Sequence, residues 1–206
     1  MDFVFKFPIF APKCHSMRIS KQSIITITLL IIVASIYRVM PGRPIGFAPQ
    51  IAMAIFGGAV INDKKLAFLL PLLSMFISDV LFELLFRSGI GNIHGFYSGQ
   101  FTNYILFASI TVFGFYIKSS NVLSILAGAI AAPTAFFLLS NFFVWLSNSP
   151  DAGLQRPKTF SGLILCYQDG LPFYPWSVVA SIVFSTILFG SYYFFIRPKP
   201  IMKYEL

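Results

Sequence analysis

Of 206 residues, 57% are hydrophobic, 11% are charged, and the formal net charge is +8. Soluble domains carry about a quarter charged residues, so a chain with a mean hydropathy of +0.79 lacks the polar surface that water demands. That excludes a soluble globular domain and predicts an all-α integral membrane bundle. The positive charge calls for no nucleic acid, because basic ends beside a bilayer set topology and attract anionic headgroups.

A basic segment over residues 1–22 precedes the first apolar run and is expected to stay cytoplasmic. It is long for the leading region of a signal peptide, and "SIYRVMPGRP" offers no small-residue cleavage site, so the first run is read as a retained helix. Apolar runs then follow at Ser23–Tyr37, Ile45–Ile61, Leu66–Phe86, Asn103–Ile117, Val122–Leu146 and Ser177–Ile196. Each is long and continuous rather than alternating, which predicts helices, and six spans in a membrane domain over residues 23–196. The second run contains Pro49, Gly57 and Gly58, and the fourth contains Thr111 and Gly114, so both are expected to be tilted, broken or partly irregular. Pro71 and Pro133 fall inside helices, where proline kinks the axis and frees a carbonyl. Gly57 and Gly58, and Ala127, Ala131 and Ala135, have the spacing of close helix packing. Residues 197–206 form a second basic tail.

The connections differ in length. Asn62–Lys65 and Lys118–Asn121 are tight, whereas Arg38–Pro44, Arg87–Thr102 and Ser147–Trp176 are long. Ten Lys and Arg fall on the side of the termini and tight turns and five on the side of the long loops, which makes the first side cytoplasmic. Trp145 and Trp176 then sit at the outer interface. Cys14 and Cys166 fall on opposite sides, so no intramolecular disulfide is expected. Inside the last loop, Phe160–Tyr167 is apolar but too short to span. It reads as an interfacial or re-entrant helix capped near Thr159 or Ser161, either roofing a cavity or lying on the headgroups.

Polar residues inside the spans collect at the loop-rich end. Asp79 lies roughly 20 Å along the third helix, at about 1.5 Å per residue, and Glu83 is one turn further. Gln50, Asn103, Tyr104, Ser140 and Asn141 lie at similar depth. An intramembrane carboxylate is a functional candidate. Against that, Glu83 and Arg87 are four apart and can neutralise each other, and Ser140 and Asn141 can serve as interhelical hydrogen-bonding residues. His94 in "SGIGNIHGFYSGQ" has no second His or Cys nearby and is read as a solvated loop residue, so no metal site and no cofactor is expected. Nucleophile, zinc-protease and nucleotide-binding signatures are lacking, which argues against an enzyme; an intramembrane enzyme using Asp79 and Glu83 is the minor alternative.

The stretches "RPIGFAPQIAMAIFGGAVINDKKLAFLLPLLSMFISD", "FFLLSNFFVW" and "GLILCYQDGLPF" resemble an uncharacterised bacterial family of small membrane proteins described only as inferred transport proteins. The resemblance covers roughly Arg43 to Gly190. The architecture is also similar to that of the substrate-binding S components of energy-coupling factor transporters. That likeness implies six helices, cytoplasmic ends and a small-molecule site opening outward beneath the loops. The first helix departs from the pattern, with Ala34 and no repeated small residue where an S component docks its partner. The expected role is capture of a small solute from the outer face of a bacterial inner membrane, with energising or complex subunits as further partners. The alternative is a non-transporting scaffold or assembly subunit. The expected ligand set is Arg43, Gln50, Asp79, Glu83, Asn103, Tyr104, Asn141, Trp145, Tyr167, Phe173 and Trp176, with Phe47 as a further wall residue. One pocket between helices two to five, roofed by Tyr167–Trp176, would hold them.

Overall fold

The computed structural model describes residues 21–147 and 155–196. The basic segments outside those ranges, with Cys14 and Ser149, lie beyond the described residues. The described chain is all helical: α1 Lys21–Val39, α2 Gln50–Val60, α3 Lys64–Arg87, α4 Gln100–Gly114, α5 Val122–Ser147, α6 Phe160–Gly170 and α7 Tyr174–Ser191. A 3-10 turn, Leu171–Phe173, joins α6 to α7, and a π turn, Tyr192–Ile196, extends α7.

Three helical stretches are long and apolar enough to cross a membrane: Lys64–Arg87, Val122–Ser147 and the continuous run Phe160–Phe194. Six were expected. The apolar part of α1, Ile25–Val39, is shorter, α4 has 15 residues, and α2 has 11. The expected second helix loses residues 45–49 for a local reason. Gly46 turns the chain at φ 91°, a conformation that strongly favours glycine, and a Cβ there would meet the Phe173 carbonyl oxygen at 2.6 Å. The short apolar run before the last helix does form a helix, α6, and Thr159 caps it by accepting from Gly162 N at 3.2 Å. At the tight turns, Asp63 accepts from Lys65 N and Leu66 N at the start of α3. Asn121 does the same for Leu123 N and Ser124 N at the start of α5.

The short helix α2 is the centre of the bundle. It packs against α3, α4, α5 and α7, and Gln50 to Gly57 are all buried. Two close approaches set its position. A Cβ on Gly57 would lie 2.8 Å from the Ala67 carbonyl oxygen, the very carbonyl that Pro71 leaves without a helical partner. A Cβ on Gly58 would strike the backbone of Thr111 and Gly114 on α4. On α5 the packing face differs in part from the expected one. Gly128, Ala129 and Ala132 are buried, whereas Ala127 and Ala131 are exposed. Of the three expected, Ala135 packs against the core, while the close contacts of this helix otherwise run through Gly128, Ala129 and Ala132. Helix α1 lies on α3 and lends Ile31 and Ala34 to the core, and α6 lies on α5.

Candidate functional site

Two polar centres lie at the loop-rich end. The first is built around Asp79, whose residue is 2% exposed. Its Oδ1 pairs with Arg38 Nη1 from the end of α1. Its Oδ2 accepts from Gln100 Nε2 at 2.6 Å and from Tyr104 OH at 2.6 Å, both on α4. Arg38 Nη1 also donates to Ser78 Oγ at 2.6 Å. The network continues along α3. Ser78 Oγ donates to the Ser74 carbonyl, Ser35 Oγ donates to the same carbonyl from α1, and Gln50 Nε2 donates to Ser74 Oγ at 3.3 Å. Both carboxylate oxygens are engaged, so the charge that sequence reasoning placed in the bilayer is neutralised by a cation from another helix. A buried carboxylate persists when paired and hydrogen-bonded in this way.

A loop closes over this centre. Gly95 N donates to Glu83 Oε2 at 3.2 Å, and Gln100 Nε2 donates to the Gly95 carbonyl. Arg87 Nε holds the other Glu83 oxygen at 2.7 Å. His94 is exposed, as expected of a solvated loop residue, with its ring against Phe86 at 3.7 Å between centroids. A depression of about 620 Å³ beside it is lined by residues of this one loop and gathers nothing from the helices.

The second centre is a cavity of about 290 Å³ between α5, α6 and α7. Phe136 and Phe137 of α5, Phe173 and Tyr174 line it, and the Phe137 and Tyr174 rings pack on each other at 4.9 Å. Ser140, Asn141, Asp169 and Ser177 supply its polar groups. The Asn141 amide donates to the Phe137 carbonyl at 2.8 Å, and its oxygen lies against Gly170, where a Cβ would collide with it. Asp169 is held by Arg156, with Nε to Oδ2 at 2.7 Å and Nη2 to Oδ1 at 2.6 Å.

The single expected pocket is therefore two sites. Asp79, Tyr104 and Gln50 join the first, and Asn141 and Phe173 line the second. Asp79 and Asn141 serve different interfaces, because α4 takes the Asp79 carboxylate from one side while Asn141 turns to α6 on the other. Glu83 holds the loop. Asn103 donates to Tyr97 OH. Arg43 donates to the Arg38 and Phe47 carbonyls and so folds the turn after α1. Its guanidinium lies below its ordinary pKa, chiefly through burial and then through Arg38. Phe47 packs with Tyr37 and Phe184. Trp145 donates to the Pro157 carbonyl, Tyr167 stacks on Phe137 and donates to the Leu138 carbonyl, and Trp176 is half-exposed.

One family model, described as a family of unknown function (DUF6580), matches residues 18–202. The chain belongs to DUF6580. No curated protein and no solved structure matches it. The DUF6580 match takes in every described helix and both polar centres. In this DUF6580 chain, the residues that sequence reasoning missed are Arg38, Gln100, Arg156 and Asp169. Arg38 and Arg156 were counted as topology signals and Gln100 as loop. The signal that could have found Arg38 is general: an ionised group inside a bilayer needs an ionised partner.

Proposed function

We propose that this chain is a six-span protein of the bacterial inner membrane, with both ends cytoplasmic, that captures a small solute from the outer side as a transport protein or as its substrate-binding component. The cavity between α5, α6 and α7 carries this reading. Its walls are aromatic, its polar groups are few and convergent, and its size approaches the lower end of small-molecule sites, about 300 Å³. The Asp79 centre is the weaker candidate, because its carboxylate is buried and held by Arg38, Gln100 and Tyr104, whereas the Asp169 pair is partly exposed and borders the cavity. The likeness to S components, with a site beneath the long loops, supports the same reading. On this reading the second crossing is α2 together with the irregular 45–49 segment ahead of it, and α1 and α4 are the other two short crossings.

Mass spectrometry of small molecules retained after gentle purification tests this. A retained solute, lost on filling the cavity with Ser140→Trp, is the expected result. A stoichiometric protein complex that carries no solute would favour a scaffold or assembly subunit.

A further inference from the structure

The cavity's own chemistry points to the class of solute, an inference that rests on the capture reading above. Among the described residues that line it, Asp169 supplies the one charged side chain. Most of the lining donors are committed to protein acceptors. Asn141 Nδ2 goes to the Phe137 carbonyl, Ser140 Oγ to the same carbonyl, and Cys166 Sγ to the Asn141 carbonyl. Ser177 Oγ goes to the Gly46 carbonyl, and Tyr174 OH pairs with Thr134 Oγ1 at 2.9 Å. An anion entering this space meets only the second N–H of Asn141, and it meets that beside the Asp169 carboxylate, which repels it. The lining presents the Asp169 carboxylate, whose two oxygens Arg156 holds, and four aromatic residues, a setting that favours positive charge.

We propose that the cavity takes a small organic cation, an ammonium carrying an apolar or aromatic group, and that Arg156 occupies the carboxylate in its place until it arrives. Arg156 does not line the cavity; it reaches Asp169 from the chain leading into α6. Its two parallel hydrogen bonds keep the carboxylate neutralised. The entering cation takes over Asp169 and stacks against Phe137 and Tyr174, and the Arg156 guanidinium returns to water. Both partners are about 30% exposed, at 28% and 30%, so this exchange occurs at the water-facing end of the cavity, where freeing an arginine is not prohibitive.

This makes opposite predictions for the two members of one ion pair. Binding of phenyltrimethylammonium, benzyl alcohol and benzoate to the full chain in nanodiscs is measured by ligand-observed NMR, with empty nanodiscs as baseline. Phenyltrimethylammonium is expected to bind about tenfold more tightly than benzoate, roughly the size of a partly desolvated cation–π and charge contact. Asp169→Asn removes that preference, Asp169→Glu restores it, and Arg156→Gln tightens cation binding by removing the competitor. The Asp169→Glu rescue separates a charge effect from a folding defect. If benzoate binds as well as the cation, or if Arg156→Gln weakens cation binding, the cation assignment fails while capture at this cavity stands. If no probe binds above baseline, or binding survives Ser140→Trp, both readings fail.

Discussion

Replacing Asp79 by Asn removes one charge and leaves Arg38 facing an amide. Breaking a buried ion pair from one side costs about 3–5 kcal/mol, because the remaining charge is left uncompensated. The Arg38 side chain keeps 20% of its exposure against 3% for Asp79, so it recovers some hydration, and the lower end, about 3 kcal/mol, is expected. The amide oxygen still accepts from Gln100 or Tyr104, which limits further loss. Arg38→Gln should cost a similar amount, since it orphans the carboxylate. The double variant Arg38→Met/Asp79→Leu should recover a large part of the loss, because apolar side chains of similar volume often replace such a pair at little cost. Reversible unfolding in mixed dodecyl maltoside and SDS micelles, followed by circular dichroism, gives all three values. The reasoning fails if Asp79→Asn changes stability by less than about 0.5 kcal/mol, or if the Arg38 and Asp79 effects simply add, the behaviour of distant independent sites. Sequence reasoning alone expects the opposite phenotype, lost ligand retention with an intact fold. The paired geometry makes Asp79 a clamp joining α1, α3 and α4.

Gly58→Ala should destabilise by about 2 kcal/mol in the same assay, because the added methyl meets backbone of α4 that cannot rotate away. Gly190→Ala, with nothing within 4 Å of the new Cβ, should be neutral or stabilising by about 0.5–1 kcal/mol. Thr159→Ala removes the cap of α6 and should cost about 1 kcal/mol, read out as faster amide exchange over Gly162 and Leu163. For the proposed orientation, a cysteine at exposed Asn92 in a Cys14- and Cys166-free background should react with an impermeant thiol reagent in intact cells, and one at exposed Ser120 should not; the reverse labelling pattern would invert the topology.

The helices were legible because continuous apolar runs leave few alternatives, and the Thr159 cap was legible because it stands just ahead of such a run. The Glu83–Arg87 pair was legible for the same local reason, four residues on one helix. The rest depends on which helices become neighbours. Arg38 and Asp79 are 41 residues apart, and nothing in either segment states that α1 packs on α3. Likewise Asn141 and Asp79 share a depth, but depth is one coordinate, and the rotation of α3 and α5 about their axes decides which interface each side chain enters. Ala135 packs as its spacing suggests, but Ala127 and Ala131 do not, because α5 carries small residues on adjacent faces and spacing alone could not select the packed one.

In the proposed membrane setting, the central helix has a consequence for how the protein responds to lipid. With 11 residues, α2 is about 16 Å long at 1.5 Å per residue, roughly half of a hydrocarbon core of about 30 Å. Its neighbours α3, α4, α5 and α7 enclose it, so acyl chains exert no direct pull on it. Hydrophobic mismatch then acts on the outer helices, which tilt to match a thinner or thicker bilayer, while α2 behaves as a fixed axle whose length answers to protein contacts. Exchange protection of its amides should therefore stay constant between short-chain and long-chain lipids while that of α5 and α7 shifts. The same enclosure explains how an amide such as Gln50 sits at its first turn: the polarity it meets is set by Ser74 and its surroundings in the bundle, whatever the thickness of the membrane outside.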